Sequence, residues 1–148
     1  GVVLSPSGGA LRFMLPAFWV GLGGRVGAPD QYFPWVTLDD VIGGLYHTLW
    51  ADDLRGPVNL TAPNPARMAD YARTLGGVLN RPAMLNVPDS LVRSLAGEVA
   101  DEMALKSARV VPQKLQESGY DFGFERLEGG LRHLLGRVED PDAPMLIP

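Results

Sequence analysis

Residues 1–9 read Gly-Val-Val-Leu-Ser-Pro-Ser-Gly-Gly, which predicts a short strand followed by a tight turn. The first four residues form an apolar, β-prone run, which is typical of a buried strand. The next five are serine, proline and glycine, the residue types that turns favour. Residues 10–20 then predict an apolar helix, in which Pro16 indicates a kink or a restart. A strand, a turn and a helix in this order indicate an α/β protein.

The opening strand needs a partner, because a lone buried strand leaves its backbone hydrogen bonds unmade. The sequence begins directly with this strand, without an initiator methionine and without a charged leader. We therefore expect the chain to be a fragment that enters a sheet part-way, with a further part of the protein upstream.

The remainder of the chain predicts small strands placed among many helices, as in a helical lobe beside an α/β sheet. Gly21–Gly24 should end the first helix, and Thr37 should cap the second, in which Val41, Ile42, Leu45, Leu49 and Trp50 form an apolar face. Further helices are predicted at 64–79, 89–95, 98–107, 112–118 and 126–135. Short extended segments are predicted at 25–26, 32–36, 58–60, 84–87 and 109–111, and after the turn at 119–122.

Composition limits the classes of function. A length of 148 residues suits one globular domain, and 46% hydrophobic with 20% charged residues argues against disorder. The formal net charge is −4 and the 13 basic residues are scattered, so no nucleic-acid partner is expected. There is no cysteine, which fits a cytoplasmic protein without disulfides. No apolar run reaches the roughly 18 residues that span a bilayer, so no membrane association is expected.

Two glycine-containing segments are candidates for ligand binding. Ser5–Gly9 joins a strand to a helix, the place where α/β sheets bind ligands, so it is either an anion-binding turn or an ordinary tight turn. Gly21–Gly27 is glycine-rich but follows a helix, whereas a dinucleotide-binding loop follows a strand and precedes a helix. We interpret it as a helix C-cap and a loop, with a close approach to a ligand as the other possibility.

The remaining chemically interesting residues are more simply structural. His47 and His133 stand alone, without a second ligand at metal-binding spacing, so no metal site is expected. Three acidic residues form a solvated helix surface: Glu98, Asp101 and Glu102. Four aromatic residues near the glycine loop suit core packing, with the floor of a pocket for a flat ligand as the alternative: Phe18, Trp19, Phe33 and Trp35.

Several segments together resemble a known family. In the first half they are residues 1–9, 14–16, 21–24, 32–40 and 59–65, and in the second half residues 81–88, 97–101, 109–115, 119–122 and 127–128. Their order resembles the extended short-chain dehydrogenase/reductase superfamily. More narrowly, it is similar to the SulA-type or YfcH-like group of NAD-dependent or nucleoside-diphosphate-sugar epimerases, with its C-terminal domain of unknown function. The resemblance covers residues 1–136.

The resemblance implies the C-terminal part of an NAD(P)-binding Rossmann-like fold. Residues 1–64 would form the end of the sheet and the segments of the substrate cleft, residues 65–136 a mainly helical substrate lobe, and residues 137–148 a flexible tail. The family binds NAD or NADP through an upstream glycine-rich loop, and its Tyr-x-x-x-Lys pair also lies upstream. None of the four tyrosines here has a lysine four residues later. This chain alone is therefore expected neither to hold the cofactor nor to be catalytic.

By position in the family, eight residues are expected to bind substrate: Leu4, Ser5, Ser7, Gly8, Gly9, Arg12, Phe18 and Trp35. Asp39 and Asp40 are expected to be structural residues of a helix start. The implied parent is an NAD(P)-dependent epimerase or reductase that acts on a small, nucleotide-sugar-like molecule. Its missing N-terminal half would be the principal partner, and a homodimer is compatible with the resemblance. The alternative is a non-catalytic module that binds a small molecule or a protein.

Overall fold

A computed structural model describes residues 1–83, 85–87 and 107–137. The strands in these ranges are β1 (Val2–Leu4), β2 (Gly24–Val26), β3 (Tyr32–Phe33), β4 (Trp35–Thr37), β5 (Ala66–Arg67) and β6 (Leu85–Val87). The helices are α1 (Gly9–Trp19), α2 (Leu38–Trp50), α3 (Met68–Leu79), α4 (Gln113–Glu117) and α5 (Leu127–Leu134). The α/β class inferred from the opening segment is confirmed.

β1 and β4 form a parallel pair from which the two longest helices of the first half depart. Val2 lies opposite Trp35, and Leu4 lies opposite Thr37. β4 runs directly into α2, and β1 reaches α1 after the four-residue link 5–8. Both helices therefore begin at the carboxyl ends of their strands, the edge at which α/β proteins place their ligands.

α1 is one continuous helix that passes through Pro16, so the predicted restart does not occur. It ends where the sequence indicated. The Gly21 N–H donates to the Phe18 carbonyl at 3.0 Å, and Gly21 has a φ of +77°, a conformation that glycine adopts without steric cost.

The other strands form two small pairs that hold the second half against the first. β2 pairs with β6 in parallel, and β3 pairs with β5 antiparallel. Because residues 66–67 are taken up by β5, α3 begins at Met68 rather than at residue 64 as predicted. Residues 58–60 form no strand, contrary to the prediction, because no strand of the described ranges pairs with them.

One hydrophobic core joins the elements from both halves of the chain. Tyr71 of α3 is fully buried, and its ring lies 4.6 Å from that of Phe33. The core contains residues of α1, β1, β4, α3 and α5, among them Leu4, Leu11, Phe18, Trp35, Leu75 and Leu131. α3 packs against α5 and β2, so the helices after residue 65 rest directly on the first half of the chain.

The apolar face predicted for α2 is present, but most of it is exposed. Four of its five predicted residues, Ile42, Leu45, Leu49 and Trp50, are 52–78% exposed, and Val41 is half-buried. Tyr46, whose ring lies 6.2 Å from that of Trp50, is 64% exposed. The buried residues of the helix are Asp40 and Gly44, which lie on its other side. We call the five exposed residues the α2 stripe.

Several predictions fall on residues that are not described. They are the helix at 89–95, the helix at 98–107 except its last residue, the acidic surface of Glu98, Asp101 and Glu102, and the tail from residue 138. In the described ranges, residues 109–111 and 120–122 belong to no strand, contrary to the prediction. No helix in these ranges has the length and apolar character needed to cross a membrane.

Candidate functional site

The Ser5–Gly9 segment forms a compact turn between β1 and α1. The Ser7 N–H donates to Ser5 Oγ at 3.2 Å, and the Gly8 N–H donates to the Ser5 carbonyl at 3.4 Å. Gly9 has a φ of +64°, which favours glycine at the first residue of α1. No side chain caps the start of this helix, because Gly8 occupies the N-cap. The first N–H groups of α1 are therefore available to an anionic or hydroxyl-bearing ligand.

Arg12 lies beside this turn. Its Nη1 atom donates to the Ser7 carbonyl at 2.9 Å, which holds the exposed guanidinium over the turn. A cation next to an uncapped helix N-terminus strengthens the attraction for an anion. The structure thus brings together five of the eight residues predicted to bind substrate: Ser5, Ser7, Gly8, Gly9 and Arg12.

The other three predicted substrate residues are packed in the core. Leu4 is 0% exposed, and Phe18 and Trp35 are each 1% exposed. Trp35 Nε1 donates to the Asn64 carbonyl at 3.1 Å, so its polar atom already has a partner. Their participation in a substrate cleft stays a prediction.

The Gly21–Gly27 loop packs against the protein itself. A Cβ atom on Gly23 would overlap the Phe18 ring, and one on Gly24 would overlap the Leu85 backbone. Glycine at position 23 therefore lets the loop pack closely on α1, and glycine at position 24 lets β2 pack closely on β6. Buried in this way, they do not present the strand–loop–helix arrangement that holds a dinucleotide pyrophosphate, so the loop does not fit NAD(P).

Asp40 joins the start of α2 to a segment far along the chain. Its carboxylate accepts hydrogen bonds from the Gly123 N–H at 2.7 Å, the Phe124 N–H at 3.1 Å and Thr37 Oγ1 at 3.0 Å. Thr37 in turn caps the helix by accepting from the Asp40 N–H at 3.1 Å. Asp40 is 3% exposed. The Thr-x-x-Asp spacing signals the cap, but nothing in the sequence near Asp40 signals its contacts with residues 123–124.

Each histidine contacts a side chain from a distant part of the sequence. His47 Nε2 lies 2.9 Å from Ser118 Oγ, and His133 Nε2 lies 3.3 Å from Asp39 Oδ2. The His133 ring also stacks on Phe124 at 4.5 Å. In the ranges that the structure describes, no group of three or more histidine or acidic side chains is placed to hold a metal ion.

A cavity of about 700 Å³ lies between α2 and residues 120–124. Its aromatic wall consists of Tyr46, Trp50, Tyr120, Phe122 and Phe124. A cavity of this volume and apolar lining is of the kind that holds small molecules. Sequence reasoning missed it, because its two walls come from segments about 80 residues apart.

Tyr120, which lines this cavity, has a raised pKa. Burial, together with the nearby charge and hydrogen bond of Asp40, raises the pKa of Tyr120 to about 12. In the unfolded chain a tyrosine has a pKa of about 10. The stability that this difference contributes is thus fully present below about pH 10 and lost between about pH 10 and about 12.

We expect the free energy of unfolding, measured in urea, to decrease between about pH 10 and about 12. The decrease should be smaller in Tyr120→Phe, which has no phenol to ionise. Equal decline in the two proteins would show that the folded structure does not perturb Tyr120. Absorbance titration of the phenolates gives an independent check, because only the unsubstituted chain should contain the step near pH 12.

Known proteins are similar in sequence to most of this chain. A family model described as a domain of unknown function, DUF1731, matches residues 87–134. Epimerase family protein Mb2239 of Mycobacterium bovis is 44% identical over 122 residues, which are 82% of this chain and 40% of that protein. Human epimerase family protein SDR39U1 is 38% identical over 135 residues, 91% of this chain and 46% of that protein.

A crystal structure of human epimerase family protein SDR39U1 with NADPH superimposes with a TM-score of 0.84 at 36% identity. The match covers 93% of this chain and 47% of that one. This chain is the counterpart of the C-terminal part of extended short-chain dehydrogenase/reductase epimerase family proteins. The resemblance inferred from the sequence is confirmed, as is the fold class.

A more distant epimerase structure supports the fold alone. The nucleoside-diphosphate sugar epimerase from Corynebacterium glutamicum has a TM-score of 0.67 at 24% identity, with 97% of this chain and 30% of that one covered. The chain spans less than half the length of the epimerase family relatives that it matches. The NADPH of the human structure is a property of that protein.

Proposed function

We propose that this chain is the substrate-side part of an NAD(P)-dependent epimerase or reductase. Residues outside this chain supply the cofactor site and the Tyr-x-x-x-Lys pair. The chain contributes the Ser5–Gly9 turn with Arg12, which binds and orients a polar or anionic group of the substrate. The substrate class, a nucleotide-sugar-like molecule, follows from the family resemblance.

The observation that carries this proposal is the α2 stripe. Five large apolar side chains on one helix, 52–78% exposed, form a surface of the kind that marks an interaction site in a soluble protein. In an α/β fold, a helix that follows a parallel strand covers a sheet with its apolar face. The stripe thus has the composition and position of a face that packs on further strands of a cofactor-binding sheet.

The β1–β4 pair supports the same arrangement. Parallel strands occur almost only in sheets that are covered on both faces, and a two-stranded sheet is marginally stable by itself. In the described part of the chain, β1 has a neighbour on one side only, and Val3 is 37% exposed. Additional strands beside β1 would continue the sheet toward a cofactor-binding half.

The deciding measurement is the intact mass of the native protein in its source cells, with sequencing of its N-terminus. We expect a mass well above the 16.0 kDa of this chain. The additional sequence should contain a glycine-rich loop and a Tyr-x-x-x-Lys pair, and the protein should bind NADPH or NADH. A native mass of 16.0 kDa, or additional sequence without these motifs, would reject the proposal.

Substitutions in the α2 stripe test its role in that native protein. We expect Ile42→Glu combined with Leu49→Glu to weaken NAD(P)H binding at least about tenfold, because the buried charges separate the two halves. Val20→Glu is the matched control, since Val20 is 69% exposed at the end of α1 and lies outside the stripe. Equal cofactor affinity in all three proteins, measured by fluorescence titration, would show that the stripe does not face the cofactor-binding half.

The second candidate is a non-catalytic binding module, favoured by the aromatic cavity at Tyr46, Trp50 and Tyr120. A module of this kind would be complete without a cofactor. Cooperative unfolding of a soluble monomer, together with a native mass of 16.0 kDa, supports this candidate over the first. Aggregation and strong binding of a hydrophobic dye would support the first, because the exposed stripe and strand edge would then lack their normal cover.

A further inference from the structure

A second cavity, of about 410 Å³, lies between α3 and the β2–β6 pair. Of the described residues that line it, three are arginines, namely Arg25, Arg73 and Arg81, and the others are alanines and a leucine. Among the described residues, no acidic side chain lines the cavity. A concave surface on which three guanidinium groups converge has a positive potential that attracts anions, although the whole chain has a net charge of −4.

The fold itself brings the three arginines together. Arg25 lies in the middle of β2, between Gly24 and Val26. Arg73 lies on α3, and Arg81 follows the C-terminus of that helix, where its N–H donates to the Gly76 carbonyl at 2.9 Å. A Cβ atom on Gly76 would lie 2.6 Å from Ala83 Cβ, so glycine at this position lets the segment after α3 fold back along the helix. This fold-back returns the chain toward α3, and Arg81 lines the same cavity as Arg73.

The guanidinium groups retain hydrogen-bonding capacity for a ligand. Arg25 Nη1 donates to the Gly27 carbonyl at 3.1 Å, which uses one of its five N–H groups. Arg73 pairs with Asp70 at 3.0 Å in an exposed pair, an interaction of small energy in water. Arg81 makes no side-chain hydrogen bond or ion pair with the residues that the structure describes. Among the described residues, one carboxylate lies beside three guanidinium groups, which gives their part of the cavity a net positive charge.

We propose that this cavity binds a phosphate-bearing small molecule. Guanidinium groups match phosphate oxygens in bidentate geometry, and several of them around one cavity suit a group with multiple negative charges, such as a diphosphate. Alanine side chains on α3 and after it keep the cavity open: Ala69, Ala72 and Ala83. The inference does not rest on the proposed oxidoreductase function, because the residues that line the cavity all belong to this chain.

Calorimetric titration of the chain with inorganic pyrophosphate tests the proposal. We expect saturable binding that weakens as the salt concentration rises, with Arg25→Gln and Arg81→Gln each weakening it about tenfold. Arg25→Lys, which retains the charge but not the fork of donors, should weaken it less. Absence of saturable binding, or binding that neither variant changes, would overturn the proposal.

A matched pair of variants separates the site from general charge effects. Arg73→Gln and Arg132→Gln remove the same charge from two exposed ion pairs, Arg73–Asp70 and Arg132–Glu128. Only Arg73→Gln should weaken pyrophosphate binding, because Arg132 lies on α5 and outside the cavity. Asp70→Asn should strengthen binding about twofold to threefold, since it frees Arg73 and removes a nearby negative charge. Equal effects of the two arginine variants would indicate non-specific attraction and reject the site.

Discussion

Asp40→Ala is expected to lower the free energy of unfolding by about 3 kcal/mol, since a buried donor left without a partner costs about 1–3 kcal/mol and a more exposed one costs less. The substitution would remove the acceptor of the Gly123 N–H, the Phe124 N–H and Thr37 Oγ1. Thr37 is 0% exposed, so water does not readily replace the carboxylate as the acceptor of its hydroxyl, whereas the exposed Gly123 can be hydrated. Urea unfolding followed by far-ultraviolet circular dichroism measures the effect.

Two further variants identify the cause of this loss. Asp39→Ala changes the neighbouring, 41% exposed side chain, and we expect it to cost less than about 1 kcal/mol. Asp40→Asn retains the shape and one acceptor oxygen, so its cost should lie between the other two. If Asp40→Ala lowered the free energy of unfolding by less than about 1 kcal/mol, the hydrogen bonds from Asp40 to residues 123 and 124 would not stabilise the fold.

The hydrogen bonds of Asp40 also show that the matched C-terminal domain is not structurally separate from the first half of the chain. The matched domain of unknown function covers residues 87–134, and Asp40 lies outside it. The hydrogen bonds to residues 123 and 124 nevertheless attach that domain to the start of α2, 83 and 84 residues earlier in the chain. We therefore expect Asp40→Ala to destabilise the described elements on both sides of residue 87 together, which hydrogen exchange can follow segment by segment.

Gly24→Ala is expected to lower the free energy of unfolding by about 3 kcal/mol, near the upper end of what overpacking costs. The new methyl group would overlap the carbonyl of Leu85, which is opposite Gly24 in the β2–β6 pair. Because the obstacle is backbone rather than a flexible side chain, the two strands would have to separate. Arg25 would move with β2, so pyrophosphate binding at the arginine cavity should weaken in the same variant.

Gly77→Ala provides the control for the glycine substitution. Gly77 lies inside α3, and a Cβ atom at that position would contact nothing within 4 Å. Alanine in an unobstructed helix position stabilises by roughly 0.5–1 kcal/mol relative to glycine, so this variant should gain stability. If both variants changed stability in the same direction and by the same amount, close packing at Gly24 would not be the cause of its effect.

The sequence by itself determined the local elements of this protein. The apolar run before Ser5 forms β1, Thr37 caps α2, and Gly21 ends α1. These outcomes depend on interactions between residues at most a few positions apart, such as a side-chain oxygen that accepts from a backbone N–H three residues later. Family segments spread along residues 1–136 also sufficed to identify the C-terminal part of the epimerase family.

Only the tertiary structure decided which distant segments meet. β1 pairs with β4, 33 residues later, and the Asp40 carboxylate meets Gly123. The arginine cavity draws its residues from β2, α3 and the segment after α3. Helical periodicity located an apolar face on α2 but could not tell whether this chain covers it. Local propensity fixes the conformation of a segment, whereas its partners depend on how the whole chain closes around a shared core.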